Sequence, residues 1–310
     1  MNLHGIFPPL ATPFAADGTL ALDRLRDNLA IYNRMGLAGY VVNGSTSESV
    51  LLTWEEVARV WAEVKKHAAA GKVLIAGTGA ESTAETIEHT NRAAALGYDA
   101  ALVRTPSFYK PAMSDDALAA HYLRVADAAR IPVLLYSVPI FTTVTVKAPL
   151  VARLATHPNI VGMKDSSGDV NGIGEIIAAA PNGFQVLVGS AATLYESLAK
   201  GAVGAVLAIA NAFPEVIVEI YEASRAGDSD RARKLAQAMV APGKMLGPQY
   251  GISGLKYAMD HLGYYGGPVR EPLLPANEAA RGDLDAMLVS VLGQFPGARL
   301  RKIFAQRDSH

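Results

Sequence analysis

The sequence predicts a (β/α)8 (TIM) barrel followed by a helical extension. Short apolar runs recur along the chain, segments with helical periodicity separate them, and the apolar runs stop after about residue 227. Strands that alternate with helices form βαβ units and a parallel sheet. Eight such units in about 220 residues suit a closed barrel. We therefore expect residues 1–226 to form the catalytic barrel and residues 227–310 to form helices packed on it.

The eight apolar runs are short and bounded by turn residues, as is typical of strands buried on both faces. They are, in chain order, Gly5–Phe7, Gly39–Val42, Val73–Ala76, Ala100–Val103, Val133–Tyr136, Ile160–Met163, Phe184–Val188 and Val203–Ile209. A doubly wound open sheet is the competing arrangement. It is disfavoured because the stretch at 77–79 lacks the third glycine of a dinucleotide-binding turn.

Segments with a polar face and helical spacing lie between these runs. Predicted barrel helices include Thr53–Ala69, Thr83–Ala95 and Asp115–Ala129. Thr53 with Glu56, and Ser82 with Glu85, have the spacing of a capping box. The predicted helices of the extension, which Pro268, Pro272 and Pro275 interrupt, are Asp230–Val240, Gly254–Leu262 and Asn277–Leu292.

Composition narrows the functional classes. Half of the 310 residues are hydrophobic, 18% are charged and the formal net charge is −1, which favours neither nucleic-acid nor membrane binding. Cysteine is absent, which excludes a disulfide framework and a thiol nucleophile. The amino terminus lacks the basic start and apolar core of a signal peptide, so we expect a cytoplasmic protein.

Lys164 follows directly on the sixth apolar run, within the stretch I-V-G-M-K-D-S-S-G (160–168). Burial disfavours a charged ammonium, and a neutral amine is a nucleophile for carbonyl carbons. The alternative is a lysine that extends from the strand end into water.

Two other strand ends carry polar groups that could act together with Lys164. The second strand is followed by Ser45, Thr46 and Ser47 in a glycine-containing turn, which could hold a carboxylate or could be an ordinary helix cap. The fifth strand ends at Tyr136, whose hydroxyl could relay a proton or only support packing. Parallel strands bring these groups to one face of a barrel, as a Schiff-base site for an α-keto acid requires.

The chain resembles the class I pyruvate-dependent aldolases, the group of dihydrodipicolinate synthase, N-acetylneuraminate lyase and 4-hydroxy-2-oxoglutarate aldolase. The resemblance extends from Pro8 to Leu273. Its motifs are G-S-T-S-E-S (44–49), L-L-Y-S-V-P (134–139), G-M-K-D-S (162–166), L-V-G-S (187–190) and G-I-S-G-L-K-Y-A-M (251–259).

The resemblance implies that Lys164 forms a covalent imine with pyruvate, that no other cofactor is needed and that Tyr136 relays protons. Ser45 and Thr46, with Ser47 beside them, would bind the pyruvyl carboxylate. It also implies a homotetramer built from tight dimers. The rest of the substrate would be bound near Phe141, Ser166, Ser190 and Val206.

Two departures bear on the reaction. The synthase normally has an arginine where Phe141 stands, and no cation lies between Pro139 and Val146. An apolar ring cannot replace a bidentate cation, which argues against synthase activity. The runs Y-S-V-P (136–139), M-K-D-S-S-G-D-V (163–170) and G-Y-Y-G-G-P (263–268) resemble the 4-hydroxy-2-oxoglutarate aldolase branch instead. We therefore expect a 4-hydroxy-2-oxoglutarate aldolase-like lyase, although a neutral sugar acid or an apolar aldehyde would suit Phe141 better. The alternatives are a dihydrodipicolinate synthase and a keto-sugar-acid aldolase or dehydratase.

The second departure concerns a further relay tyrosine, which family members supply across the subunit interface from a T-P-x-Y segment. Phe108 occupies that position here and Tyr109 follows it. We predict that Tyr109 is the third catalytic residue, reaching the relay through a shifted loop; water or Ser45 is the alternative.

Two other functional classes are alternatives: a metal-dependent aldolase and a non-enzymatic binding protein. A metal-dependent aldolase would need clustered ligands, but the seven histidines are scattered along the chain, and no metal site is predicted. A non-enzymatic alternative is a degenerate homologue that binds keto acids without turnover, and Phe108 favours it.

Overall fold

The computed structural model describes residues 1–295 and shows a closed parallel barrel. The strands hydrogen-bond in the order β1-β8-β7-β6-β5-β4-β3-β2. Next to β1, the Val41 N–H donates to the Pro8 carbonyl at 3.1 Å and the Leu10 N–H donates to the Val41 carbonyl at 2.9 Å, which joins the two ends of the sheet. The predicted (β/α)8 fold is confirmed.

The strands lie where the apolar runs predict them, with small shifts at the ends. They are β1 Gly5–Phe7, β2 Gly39–Val42, β3 Val73–Gly77, β4 Ala100–Arg104, β5 Val133–Ser137, β6 Ile160–Asp165, β7 Gln185–Val188 and β8 Gly204–Val206. Strand β6 continues through Lys164, so this lysine is held by the sheet. Strand β8 is shorter than predicted because Ala208–Asn211 turns into a 3-10 helix.

Twelve α-helices connect and follow the strands within residues 1–295. They are α1 Leu22–Tyr32, α2 Trp54–His67, α3 Thr83–Ala95, α4 Asp115–Ala128, α5 Pro139–Thr142, α6 Ala148–Leu154, α7 Val170–Ala179, α8 Leu194–Ala199, α9 Pro214–Arg225, α10 Ser229–Lys244, α11 Gly251–His261 and α12 Glu278–Gln294. None of the described helices is long and apolar enough to cross a bilayer. The cytoplasmic location stays a prediction.

The two predicted capping boxes have different outcomes. At the start of α2 both halves form: Thr53 Oγ1 accepts from the Glu56 N–H, and the Glu56 carboxylate accepts from the Thr53 N–H. At α3 the Ser82 hydroxyl accepts from the Glu85 N–H at 3.1 Å. The Glu85 carboxylate instead accepts from Trp54 Nε1 at 2.9 Å, so the reciprocal half is missing.

The extension is helical as far as residue 295, and residues 296–310 of the predicted extension lie outside the described residues. A π-helix, Met245–Gln249, connects α10 to α11. Helix α10 packs on α9 and on the segment after β7, and α11 packs on α12. The division of the chain at residue 227 stays a prediction.

The barrel interior is filled by side chains from the strands. These buried residues include Phe7, Val41, Ile75, Leu102, Leu134, Tyr136, Leu187 and Val206. Such layers make the lower barrel a packed core and leave the carboxyl ends of the strands for function. The ring of Tyr136 belongs to this layer, so its hydroxyl has a fixed position at the upper end of the core.

Candidate active site

Lys164 lies inside the barrel, next to Tyr136 on the neighbouring strand. The two residues are direct partners in the β5–β6 register. Lys164 is 4% exposed, and its Nζ donates to the Tyr136 hydroxyl at 3.2 Å. The same nitrogen lies 4.3 Å from the centre of the tyrosine ring. The lysine is therefore buried against a phenol and does not extend into water.

Ser45 continues this hydrogen-bonded chain. The turn after β2 is a 3-10 helix, Ser45–Ser47. Ser45 Oγ lies 3.2 Å from the Tyr136 hydroxyl, and either oxygen could be the donor. Three polar groups from three strand ends, Ser45, Tyr136 and Lys164, are thus linked in series, an arrangement suited to proton transfer beside an amine.

Asp165, at the end of β6, orders the turn that follows Lys164. It is buried, and its Oδ1 accepts from both the N–H and the hydroxyl of Ser167. Burial raises the pKa of this carboxyl, and the hydrogen bonds from Ser167 oppose the rise. Asp165 thereby fixes the direction in which the chain leaves Lys164.

Gly189 leaves space for the hydroxyl of Ser166. A Cβ atom added at Gly189 would lie 1.9 Å from Ser166 Oγ, and the Gly189 N–H donates to the Asp165 carbonyl at 2.6 Å. No larger residue fits between the ends of β6 and β7. The glycine of the L-V-G-S motif therefore leaves room for the Ser166 hydroxyl at this edge of the cavity.

A cavity of about 530 Å³ opens above this cluster. It is lined by eight of the ten residues predicted for the site: Ser45, Thr46, Tyr136, Phe141, Lys164, Ser166, Ser190 and Val206. Phe141 is largely exposed and lies at the mouth of the cavity. The structure brings these residues together, while their individual roles stay predictions.

Ser47, predicted beside Ser45 and Thr46 as part of the carboxylate site, does not line the cavity. Its side chain is buried away from the cavity, and its hydroxyl donates to the Leu10 carbonyl at 2.6 Å. Its N–H donates to the Gly44 carbonyl at 3.0 Å. Both donors of Ser47 are used within the protein, so this residue supports the turn and does not face a substrate.

Tyr109 does not line the cavity of its own chain, and its catalytic role stays a prediction. It is 72% exposed, with Phe108 beside it at 75%. The loop is held away from the cavity because Glu81 accepts hydrogen bonds from the N–H groups of Ser107 and Phe108. The shifted loop that the sequence suggested is therefore not formed within one chain.

One wall of the cavity does not follow from the sequence pattern. It comes from the extension and includes Lys244, Leu246, Gly247, Pro248, Tyr250, Ile252 and Leu255. The π-helix brings Leu246 and Pro248 to the cavity, and π-turns are frequent at functional sites. The available signal was the break in helical pattern around Gly243 and Pro248.

The two buried histidines, His89 and His121, make local packing and hydrogen-bond contacts. Burial lowers the pKa of His121 to about 4, and its Nδ1 lies 2.9 Å from Thr83 Oγ1. The ring of His89 stacks on Trp54. Residues 1–295 contain no group of three or more His, Asp or Glu side chains placed to hold a metal ion. The metal-dependent alternative thus has no ligand set in the described part of the chain.

Comparison with known proteins places this architecture in a family. The sequence profile of the dihydrodipicolinate synthetase family matches residues 2–291. A 4-hydroxy-tetrahydrodipicolinate synthase of Methanoculleus marisnigri is 37% identical over 290 residues, which is 93% of this chain and 99% of the relative.

Solved structures agree. The dihydrodipicolinate synthase of Acinetobacter baumannii, crystallised with pyruvate, superposes with a TM-score of 0.89 at 32% identity, covering 93% of this chain and 99% of the other. The synthase of Methylacidiphilum fumariolicum gives a TM-score of 0.91 at 27% identity, covering 95% and 98%. With a barrel, a buried lysine and a profile match over almost its whole length, the chain belongs to the dihydrodipicolinate synthetase family, a group of class I pyruvate-dependent lyases.

Proposed function

We propose that this protein is a Schiff-base lyase that forms or cleaves a carbon–carbon bond of a 2-keto acid, with pyruvate as one partner. The observation that carries the proposal is the chain of hydrogen-bonding groups Ser45, Tyr136 and Lys164 at the floor of the cavity. Enzymes of this family use a covalent lysine imine and need no external cofactor.

Imine formation follows from the position of the amine. The Lys164 nitrogen attacks the C2 carbonyl and loses a proton, while the carbonyl oxygen gains one and becomes a hydroxyl. Tyr136, 3.2 Å from the amine, then donates a proton to that hydroxyl, which leaves as water. The hydroxyls of Ser45 and Thr46 hold the pyruvyl carboxylate beside this centre.

Bond cleavage uses the imine as an electron acceptor. In a 4-hydroxy-2-keto acid, the 4-hydroxyl gives its proton to Tyr136 and the electrons of the C3–C4 bond move towards the imine. An aldehyde and an enamine result. Protonation at C3 and hydrolysis release pyruvate and regenerate Lys164. The reverse sequence joins pyruvate to an aldehyde.

The second substrate has two candidates. The names of the relatives favour the synthase reaction, in which the acceptor is aspartate semialdehyde. The runs at 136–139, 163–170 and 263–268 resemble the 4-hydroxy-2-oxoglutarate aldolases, which release glyoxylate, and they favour that reaction, while Phe141 replaces the arginine that the synthase normally has. In both reactions the aldehyde partner carries a carboxylate.

The imine is tested by incubation with pyruvate and sodium borohydride, followed by peptide mass spectrometry. We expect reduction to fix a pyruvate-derived group on the peptide that contains Lys164. An unmodified Lys164 at saturating pyruvate would overturn the proposal. Trapping without turnover of any 4-hydroxy-2-keto acid or aldehyde would instead support the degenerate, keto-acid-binding alternative.

We also propose that copies of this chain associate through the surface around Phe108 and Tyr109, as a homotetramer would require. The two rings pack edge to face at 5.1 Å, and nothing within the described chain covers them. A cross-subunit position would bring Tyr109 towards the relay of a second copy. Sedimentation velocity of the wild type and of a Phe108→Ser, Tyr109→Ser double variant tests this, and a monomeric wild type would contradict it.

A further inference from the structure

Two lysines line the cavity, and only one of them is used by the proposed chemistry. Lys164 lies at its floor, and Lys244 lies on the wall formed by the extension. Lys244 is exposed, and its side-chain ammonium makes no ion pair or hydrogen bond with any residue in the range 1–295. An unpaired cation at the mouth of a substrate cavity is available to a ligand.

The backbone of Lys244 is fixed next to the substrate end of β7. Helix α10 approaches the segment after β7 so closely that a Cβ atom added at Gly243 would lie 2.8 Å from the Cβ of Ala191. Lys244 is the last residue of α10, directly before the π-helix. The backbone from which the Lys244 side chain extends is therefore held in place, because the neighbouring Gly243 packs closely against Ala191.

The charge pattern of the cavity favours an anion at this wall. No aspartate or glutamate among the described residues lines the cavity, and its other polar side chains are those of serine, threonine and tyrosine. Much of the remaining wall is apolar, including Phe141, Leu246 and Ile252. Apolar walls with low local dielectric strengthen an attraction that bulk water would screen.

We propose that Lys244 is a specificity-determining residue that binds the carboxylate of the acceptor aldehyde. The inference rests on the proposed function, because the acceptor is the second substrate of that reaction. No cation lies between Pro139 and Val146 on the β5 side of the cavity, but Lys244 on the wall formed by the extension supplies one. Acceptors with a carboxylate, such as glyoxylate and aspartate semialdehyde, are then preferred to neutral aldehydes.

Matched acceptor pairs test this assignment. Pyruvate consumption is measured with glyoxylate against acetaldehyde, and with aspartate semialdehyde against 3-aminopropanal. We expect the wild type to prefer the carboxylate member of at least one pair. Lys244→Gln should reduce that preference about tenfold, the size of one hydrogen bond to a charged group. Lys244→Arg should largely retain it.

Lys234→Gln is the matched control, since Lys234 is an exposed lysine of the same helix that does not line the cavity. Its acceptor preference should equal that of the wild type. Raising the salt concentration should weaken the wild-type preference and leave that of Lys244→Gln unchanged, because an exposed charge is screened by ions.

The possible failures are distinguishable. A wild type that traps pyruvate but prefers neither carboxylate acceptor would overturn the role of Lys244 and leave the imine in place. The same holds if Lys244→Gln keeps the full preference. Absence of the borohydride-trapped adduct on Lys164 would overturn the proposed function and this inference together.

Discussion

Two lysines are buried within residues 1–295, and their surroundings differ in one decisive respect. Lys256, on α11, is 1% exposed, and its Nζ lies 2.6 Å from Glu48 Oε1 and donates to the Pro268 carbonyl at 2.8 Å. Lys164 is 4% exposed and donates to the Tyr136 hydroxyl. No carboxylate of residues 1–295 lies within ion-pair distance of Lys164.

This difference in surroundings gives Lys256 a structural role and leaves the Lys164 amine able to react. Burial lowers the pKa of Lys256, and the charge of Glu48 opposes that change by favouring the ammonium form. The pair is enclosed, with the ring of Phe14 4.5 Å from the ammonium. Lys164 has no such counter-ion and borders an open cavity, so its nitrogen is the one that a carbonyl carbon can approach.

The Glu48–Lys256 pair nevertheless serves the site indirectly. Glu48 has a left-handed backbone conformation, with φ 58°, and ends the turn that carries Ser45 and Thr46. Its Oε2 also accepts from the Arg270 N–H at 2.7 Å. The carboxylate of Glu48 therefore ties the turn after β2 to two segments of the extension.

The largest expected effect contrasts the two lysines directly. In Lys164→Arg, pyruvate should leave no borohydride-stable group on the protein, because a guanidinium does not form the imine. Circular dichroism should show an unchanged fold. Lys256 is the internal control in the wild type: its peptide should remain unmodified while that of Lys164 is labelled. Labelling of Lys256, or activity in the Lys164→Arg variant, would contradict the assignment of Lys164 as the reactive lysine and Lys256 as the structural one.

The next effect concerns the Tyr136 phenol, which Lys164 contacts and Lys256 does not. Tyr136→Phe should retain pyruvate binding and slow turnover by about 10²- to 10⁴-fold, the usual contribution of a positioned acid–base group. Tyr122→Phe is the control, since the buried hydroxyl of Tyr122 donates to the Val103 carbonyl outside the cavity. Steady-state kinetics decide the point, and a loss below about tenfold would remove Tyr136 from the mechanism.

The comparison also shows which parts of the molecule a sequence can predict. The strands and the helix Thr83–Ala95 follow from local periodicity, and parallel pairing then brings Lys164 beside Tyr136. The relation between these two residues was accessible because both lie on regular strands. A buried strand fixes where each side chain points.

The remaining features depend on tertiary packing. Ser45 and Ser47 are two residues apart in a 3-10 turn, and spacing alone could not tell which hydroxyl faces the cavity and which bonds to Leu10. The wall with Lys244 lies about 80 residues after Lys164 and reaches the cavity through a π-helix. No local sequence pattern indicates that this segment reaches the cavity.

A smaller effect is expected for the buried Glu48–Lys256 ion pair. Glu48→Gln should reduce the free energy of unfolding by about 3 to 5 kcal/mol at neutral pH, because it leaves the buried ammonium of Lys256 unpaired. Urea denaturation measures the change. Glu219→Gln breaks the exposed Arg231–Glu219 pair, whose nitrogen and oxygen lie 2.7 Å apart, and should cost less than about 1 kcal/mol.

A double variant keeps this prediction testable if the single variant unfolds. Glu48→Leu combined with Lys256→Met removes both charges and should recover most of the lost stability. Equal costs for Glu48→Gln and Glu219→Gln would show that the buried pair contributes no more than a surface pair. Lys256 would then not differ energetically from an exposed lysine.

The smallest effect separates the two serines of the turn that Glu48 holds. Ser45→Ala removes a hydroxyl that lines the cavity and contacts Tyr136, so KM for pyruvate should rise about tenfold, as for one hydrogen bond to a charged group. Ser47→Ala should lower the free energy of unfolding by about 1 kcal/mol and leave KM unchanged, because its hydroxyl serves only the Leu10 carbonyl. Kinetics and urea denaturation of both variants check the pair. If Ser47→Ala raised KM and Ser45→Ala did not, the side of the turn that meets the substrate would have to be reassigned.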